Sequence, residues 1–346
     1  DSVHTFFKNY LTSRRQRVVS CGEVSSFQKI KQGVPQGSIL GPILFSIYTA
    51  DFNSFLNYCK MHQYADDTQI YFSFKPEDHI VAARHINSDL ENIVAVADSH
   101  RLVLNSSKTQ LMIFGKHRLE LQDQFHDFEL KVSNKTLKPV TEQKNLGLFI
   151  DTDLRFTGHV NKLVQNSFSK LKVLYMQKEF LNTETKLLLC DSLILSQLAY
   201  CDVVYWPALR MTEKNTLQKI QNSCMRYSLN LRKFDHISAI FPVTRWLKLH
   251  ERFVYHLSCL IYKIRATKSP VYLYEKLVKI SDIHGLQTRN RELYSVPRHS
   301  TAEFERSFTY NASNIFNDIP TSIKSAINIA SFRKQVKNFL LTTQNS

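Results

Sequence analysis

Short apolar segments separated by turn residues dominate the first 158 residues of the chain. Apolar residues recur at helical spacing from Val3 to Leu11 and predict a short helix. Cys21-Gly22-Glu23 lies between two strand-like segments, Arg17 to Val19 and Val24 to Ile30, which is typical of a hairpin. A second helix is predicted from Ser38 to Tyr58, with Ser38 as its N-cap.

The pattern continues with strands on either side of a third predicted helix. The elements predicted next are two strands around Asp66-Asp67 within residues 61–74, a helix over residues 76–100, two strands at 102–104 and 110–114 around Asn105-Ser106-Ser107, and short strands up to residue 150.

Beyond Gly158 the hydrophobic spacing becomes that of helices. Predicted helices cover residues 160–174, 184–200, 212–229 and 246–264, with two shorter ones between 311 and 341 separated at Pro320. Of the 8 glycines, only Gly285 lies beyond Gly158. Because glycine supplies the positive φ angles of tight turns, we expect hairpins in the first part and helices in the second. The sequence therefore predicts an α+β fold.

Composition excludes several classes of protein and indicates a polyanionic partner. With 43% hydrophobic residues in 346, the chain is neither disordered nor collagen-like. Its 45 Lys and Arg outnumber 30 Asp and Glu, giving a net charge of +15. The most apolar segment, Leu187 to Trp206, contains two aspartates, so we predict a buried helix and no membrane association. Six cysteines without a CxxC pair predict free, mostly buried thiols.

The most specific local feature is the pair Asp66-Asp67 within MHQYADDTQIYF. Adjacent carboxylates repel each other, and strand-forming flanks would hold them together. Hard oxygen ligands suit Mg²⁺, and two such ions about 4 Å apart can activate a hydroxyl and stabilise a leaving pyrophosphate. A solvated polar turn is the alternative, since Asp favours turns.

Two further segments are candidates for contact with phosphate or base. The loop QGVPQGS, residues 32–38, holds two glycines and a proline and leads into a predicted helix, so a ligand could approach its backbone closely. Lys108 follows the predicted turn at Asn105 and could reach a phosphate. Each segment also has a structural alternative. The loop alone is interpreted as an ordinary loop-to-helix junction, and Lys108 alone is interpreted as a solvated charge.

Taken together, the segments QGVPQGSILGPILF, YADD, LVLNSSKT and LGLFIDTDLRF, in this order, resemble the reverse transcriptases of non-LTR (LINE-type) retrotransposons of the jockey-like group. The resemblance extends into the helical half, through TRNRELYSVPRHSTAEFERSFTYNASNIFNDIP. It implies an RNA-directed DNA polymerase, a nucleotidyltransferase of a transposable element. It also implies a partial polymerase palm with primer-grip strands over residues 1–157, a helical thumb over 158–235 and a helical C-terminal region over 236–346.

The resemblance assigns roles to particular residues. Asp66 and Asp67 match the catalytic, metal-binding pair, and the implied cofactor is Mg²⁺ in a two-metal site. Gln36 and Gly37 match residues that contact nucleotide and template, and Lys108 a lysine near the leaving pyrophosphate. Leu146-Gly147 matches the turn of the primer grip. The implied partners are an RNA template with a DNA primer, or an RNA–DNA hybrid, and deoxynucleotides. A nuclear location is implied by the resemblance alone.

Two departures from the family pattern lead to an expectation about activity. Ala97 stands where the family usually has Trp. In the family, a further catalytic Asp and the fingers precede the segment that Phe6 to Leu11 matches. This sequence begins after that point, at Asp1. We therefore expect this chain to be inactive alone.

The alternative from another class is a non-catalytic nucleic-acid-binding relic of a retroelement. Residues 226–268 hold nine Lys and Arg against Asp235 and Glu251, interleaved with aromatic residues. Basic grooves with aromatic side chains suit single strands and hybrid duplexes.

Overall fold

The computed structural model describes residues 2–115, 128–133, 135–283 and 290–344. The chain forms two compact units, Asp1–Val140 and Thr141–Ser346. Helices combine with small antiparallel sheets, so the predicted α+β class is confirmed. The three-part division into palm, thumb and C-terminal region stays a prediction.

All strands of the described residues pair as two-stranded antiparallel sheets and lie before residue 152, as the glycine distribution predicts. They are β1 (Arg15–Gln16) with β4 (Gln28–Lys29), β2 (Val19–Ser20) with β3 (Glu23–Val24), β5 (Lys60–Tyr64) with β6 (Asp67–Tyr71), β7 (Leu130–Val132) with β8 (Lys135–Leu137), and β9 (Glu142–Asn145) with β10 (Leu148–Asp151).

The first unit has three α-helices among the described residues, and helices make up most of the second unit. The helices of the first unit are α1 (Ser2–Leu11), α2 (Leu40–Tyr48) and α3 (His79–Ser99). Those of the second are α4 (Thr157–Met176), α5 (Thr183–Cys190), α6 (Ser196–Ala199), α7 (Asp202–Tyr205), α8 (Met211–Ser228), α9 (Phe241–Thr244), α10 (Leu249–Thr267), α11 (Val271–Tyr274), α12 (Ile280–Ile283), α13 (Ala302–Glu305), α14 (Phe308–Asp318), α15 (Thr321–Lys324) and α16 (Ile329–Thr343). A π-helical segment, Asp191–Leu195, joins α5 to α6. Short 3-10 turns lie at Phe52–Phe55, Pro76–Asp78, Lys178–Phe180, Trp206–Ala208 and Ser238–Ile240.

The first unit has two small apolar clusters on opposite parts of α3. Ile93 and Ala97 pack with Phe52, and Met61 and Ile70 of the β5–β6 hairpin pack against them. A second cluster joins Ala83 to side chains of β7 and β8. Helix α3 therefore supports the hairpin that carries the aspartate pair.

The second unit has an extended core and a smaller cluster around Met225, Ile237 and Phe241, which together give it far more buried apolar surface. The core begins at Leu148 in β10 and continues through α4, α8 and α10 to Leu340 in α16. It includes residues on both sides of the predicted boundary at 235/236. The burial of this apolar surface is the main source of stability in the unit.

Two sequence expectations about the first unit are wrong. No strands form at residues 102–104 or 110–114; the only ladder contact in these described residues is a bridge from Leu111 to Pro139. Leu102 and Leu104 instead pack on the cluster around Ile93, so the segment follows α3 and does not pair with itself. The helix predicted to extend to Tyr58 ends at Tyr48. The next residue, Thr49, is the C-cap and is buried.

The predictions about cysteines and the apolar segment agree better with the structure. All six cysteines are free thiols; three are buried, two are half-buried and Cys21 is exposed. No single helix among the described residues is long and apolar enough to cross a membrane, although Thr183–Ala199 and Asp202–Ala208 reach that length and composition together, with a bend of 41°. Ile194 and Leu195 of this segment are fully buried in the core.

Candidate active site

The aspartate pair lies at the tip of the β5–β6 hairpin. Tyr64 pairs with Asp67, so Ala65 and Asp66 form a two-residue turn. Ala65 has φ +52°, the left-handed conformation that such tight turns require. Both carboxylates are exposed, and neither has a hydrogen bond or ion pair with any described residue. The hairpin therefore presents two adjacent carboxylates with their oxygens free.

A buried carboxylate that the sequence analysis missed fixes the base of this hairpin. Asp89, fully buried on α3, accepts hydrogen bonds from the backbone N–H groups of Asn57, Tyr58 and Cys59 at 2.8, 2.9 and 2.7 Å. Burial raises the pKa of Asp89, but these three donors outweigh it and hold the pKa below its usual range. Asp89 thus joins the start of β5 to α3. Its position within the apolar stripe of a helix was the available sequence signal.

The loop before α2 is shaped by its glycines and by one serine. Gly33 and Gly37 have φ +75° and +78°, a conformation that favours glycine. The Ser38 hydroxyl accepts from Tyr10 Oη at 2.6 Å and from the Gly41 N–H at 3.1 Å. It also donates to the Pro35 carbonyl at 2.7 Å. Gln36 and Gly37 remain exposed at the loop surface, so their backbone is open to a ligand.

Lys108 lies on an exposed turn organised by Asn105. The Asn105 side-chain oxygen accepts hydrogen bonds from the N–H groups of Ser107 and Lys108 at 3.1 and 3.2 Å. This local pairing forms a turn in place of the predicted hairpin. Among the described residues, no hydrogen bond or ion pair joins Lys108 to the aspartate pair or to the loop at Gln36.

The predicted primer-grip turn belongs to the second unit. Leu146 and Gly147 connect β9 to β10 with φ +46° and +87°. The Tyr200 hydroxyl donates to the Leu146 carbonyl at 2.5 Å. A Cβ atom on Gly147 would lie 3.2 Å from Cε1 of the same tyrosine. Backbone conformation and this close contact both favour glycine at 147.

The segment after this hairpin holds a second residue that sequence reasoning missed. Asp151 accepts hydrogen bonds from the N–H groups of Asp153, Arg155 and Phe156 at 3.1, 3.0 and 2.5 Å. These bonds shape the entry to α4, where Phe156 has φ +58°. His159 is buried nearby beside the Tyr205 ring, and neither ring nitrogen has a hydrogen-bond partner in the described part of the chain. Its burial lowers its pKa. A neutral His159 therefore acts in packing.

The donor set at the hairpin tip suits a hard divalent cation that is shared with a substrate. Across the described ranges, no three His, Cys, Asp or Glu side chains are grouped so that they could hold a metal ion by themselves. Mg²⁺ is commonly bound by one or two carboxylates together with substrate phosphates, and seldom by an all-protein cage. Two adjacent free carboxylates meet that requirement.

Comparison with known proteins gives consistent results for this region. Residues 2–160 match the family model of reverse transcriptase (RNA-dependent DNA polymerase). The chain is 26% identical over 230 residues to the RNA-directed DNA polymerase from mobile element jockey of Drosophila funebris, and 23% identical over 238 residues to the corresponding protein of Drosophila melanogaster. It is 25% identical over 229 residues to the probable RNA-directed DNA polymerase from transposon BS of Drosophila melanogaster.

These alignments cover 63%, 64% and 63% of this chain but only 24%, 25% and 24% of the relatives. The chain thus spans about a quarter of the length of the curated relatives it matches. No solved structure matches it significantly. The aspartate hairpin, the glycine loop and the asparagine turn all lie within the matched region. Residues 2–160 are therefore similar to a reverse transcriptase domain, and the chain resembles the polymerases of jockey-like, non-LTR retrotransposons.

Proposed function

We propose that this chain carries the metal-binding hairpin of an RNA-directed DNA polymerase that adds deoxynucleotides to a DNA primer on an RNA template. The observation that carries the proposal is the two-residue turn that presents Asp66 and Asp67 side by side, exposed and without other partners. The alternative interpretation, a solvated polar turn, does not explain why two like charges lie side by side. It also does not explain why the buried Asp89 fixes the base of their hairpin.

Asp66 and Asp67 would hold Mg²⁺ together with phosphate oxygens of the incoming nucleotide. When bound, the ions supply a Lewis acid that favours ionisation of the primer 3′-hydroxyl and stabilises the leaving pyrophosphate. The two carboxylates position that charge, and Asp89 keeps their hairpin in place on α3.

The remaining segments have proposed roles in binding. The open backbone at Gln36 and Gly37 would lie against the nucleotide and template, where the absence of a Cβ at 37 permits close approach. Lys108 would donate a proton or a hydrogen bond to the leaving pyrophosphate. The Leu146-Gly147 turn would contact the primer strand, as in a polymerase palm that continues into a helical thumb.

The direct functional test is Mg²⁺-dependent primer extension on an RNA template. Because the described residues bring only two carboxylates to the turn, we expect the 346-residue chain alone to be close to inactive, with any incorporation slow. Whatever incorporation it shows should fall by at least about a hundredfold in Asp66→Asn, since loss of one member of a catalytic unit costs several orders of magnitude.

The matched control is Asp98→Asn, which removes an exposed carboxylate of α3 with no hydrogen bond or ion pair among the described residues. It should retain wild-type incorporation. Equal activity of Asp66→Asn and Asp98→Asn would contradict a catalytic role for the pair. Rapid incorporation by the unmodified chain would contradict only the expectation of slow activity.

A second candidate function is binding of nucleic acid without catalysis, which the basic run of residues 226–268 favours. In that case the affinity for RNA should depend steeply on salt, because bound phosphates release counterions. Asp66→Asn should leave the affinity unchanged. An affinity that does not vary with salt would reject phosphate-driven binding.

A further inference from the structure

The second unit contains a cavity that the polymerase proposal does not use. It has a volume of about 630 Å³, within the range of small-ligand sites. The residues that line it come from the π-helical segment and α6, from the loop after α9, from α10 and from α16. Those used below are Asp191, Arg245, Trp246, Arg252, Tyr255, His256 and Lys337. We call it the second-unit cavity.

Positive charge dominates the lining of this cavity. Arg252 is engaged with Asp191, with Nη2 2.6 Å from Oδ1, so the one carboxylate among the residues named above is already neutralised. Arg245 and Lys337 are exposed, and neither has an ion pair or hydrogen bond with any residue that the structure describes. Two unpaired cations therefore face a cavity with no free carboxylate named in its lining.

The backbone around the cavity is unusual at two points. Asp191 opens a π-helical turn, a rare form that is frequent at functional sites. Arg245 has φ +52°, in the left-handed region that arginine seldom adopts. Such conformations persist only where the surrounding structure maintains them, and they cluster at binding sites. Both place charged side chains at the cavity.

Aromatic side chains and one histidine complete the lining. Trp246 and Tyr255 are half-buried, so part of each ring remains accessible. Burial raises the pKa of the Tyr255 hydroxyl, which keeps it a hydrogen-bond donor at neutral pH. His256 has its Nδ1 2.6 Å from Oδ2 of the buried Asp202, so Nε2 is the ring nitrogen left for a ligand.

We propose that the second-unit cavity binds a phosphate-bearing nucleotide unit, with Arg245 and Lys337 on the phosphate and the aromatic rings against the base. Cations beside accessible aromatic faces suit this ligand, because bases stack on rings while phosphate oxygens accept from Arg and Lys. The proposal is independent of the polymerase activity, since none of the residues assigned to nucleotidyl transfer lines this cavity. It deepens the second candidate function and rests on it, because Arg245 and Trp246 belong to the basic run of residues 226–268.

The test compares two double variants of the full chain that remove equal charge. Arg245→Ala/Lys337→Ala changes the cavity, whereas Lys276→Ala/Arg298→Ala removes an exposed lysine and an exposed arginine of the same unit that do not line it. Binding of a fluorescently labelled single-stranded RNA is measured by anisotropy over a range of salt concentrations. Circular dichroism verifies that both variants are folded.

We expect the cavity variant to bind RNA roughly tenfold more weakly at ~0.1 M salt. The slope of log K against log salt should fall by about 0.7, because both side chains contact the same phosphate and each phosphate contact on a single strand accounts for about 0.7. The control variant should retain the wild-type slope. Equal losses in both variants would overturn the proposal, since they would reflect net charge alone.

A second measurement identifies the source of the phosphate. Quenching of tryptophan emission is followed with a free nucleoside triphosphate and, separately, with an unlabelled RNA strand. Quenching that the cavity variant abolishes and the control retains supports the site, and the arm in which it occurs identifies the ligand as free nucleotide or strand. The nucleotide assignment would be overturned if neither ligand quenched the tryptophan emission. It would also be overturned if polyglutamate, an anion without bases, displaced the ligand as well as RNA does.

Discussion

At the scale of single residues, Asp89 is the side chain on which the placement of the aspartate pair most depends. Its three backbone partners all lie in the segment that enters β5. A buried carboxylate without such partners would be strongly destabilising. The Asp89 carboxylate and the three N–H groups therefore stabilise the fold only when they are paired. The pair at the tip is exposed and contributes little to this packing.

We expect Asp89→Asn to lower the free energy of unfolding of the first unit by about 2 kcal/mol, the usual range for hydrogen bonds to a charged group. The amide keeps the volume but turns an acceptor into a donor that faces N–H groups. Hydrogen exchange of the β5 and β6 amides would measure the change. Asp98→Asn on the same helix is the control and should have no effect.

The same residue predicts a pH dependence. The pKa of Asp89 is lower in the folded than in the unfolded chain, so its stabilisation is fully present above the unfolded value of about 3.9 and is lost as the pH falls towards the folded value. The stability difference between wild type and Asp89→Asn should therefore shrink below about pH 4. A constant difference down to about pH 2 would contradict this account of Asp89.

At the scale of elements, the two hairpins with proposed roles use tight two-residue turns with different residues. Ala65 adopts a positive φ at the aspartate hairpin, while Leu146 and Gly147 do so at the predicted primer grip. At Gly147 the contact with Tyr200 adds a steric restriction to the backbone one.

Gly147→Ala should destabilise the second unit by about 1–2 kcal/mol, because alanine is strained at φ +87° and its Cβ would press on Tyr200. Leu146→Gly in the same turn should be neutral or slightly stabilising, since it relieves a positive φ. Urea unfolding followed by tryptophan fluorescence gives both values. Equal effects of the two substitutions would contradict the geometry of this turn.

The sequence predicted an element correctly where its local pattern determines the structure, and incorrectly where a tertiary contact does. The aspartate hairpin and the helix over residues 76–100 were correctly predicted, because strand-forming flanks and apolar spacing agree there with the final packing. Residues 102–114 were wrongly predicted, because Leu102 and Leu104 bury themselves on α3, a tertiary contact without a local pattern. Asp89 was missed because its partners are 30 to 32 residues away.

At the scale of the whole molecule, the two units differ in how much apolar surface they bury. The first unit rests on two small clusters around α3, whereas the second has an extended core from Leu148 to Leu340 and a smaller cluster around Met225. Both tryptophans, Trp206 and Trp246, lie in the second unit. Tryptophan fluorescence therefore reports on the second unit alone.

We expect the first unit to unfold at a lower urea concentration than the second. Far-ultraviolet circular dichroism should begin to change before tryptophan fluorescence does, and the amides of β5 and β6 should exchange faster than those of α8. Transitions that coincide for all probes would instead indicate one cooperative unit.

We propose that Asp66 and Asp67 together bind a divalent cation with the incoming nucleotide. Titration of Mn²⁺, followed by electron paramagnetic resonance, tests this in the presence of a deoxynucleoside triphosphate and an RNA template with a DNA primer. We expect protein-dependent Mn²⁺ binding in the wild-type chain, its loss in Asp66→Asn/Asp67→Asn and its retention in Asp98→Asn. Unchanged Mn²⁺ binding in the double variant would contradict the assignment of the hairpin as the metal site.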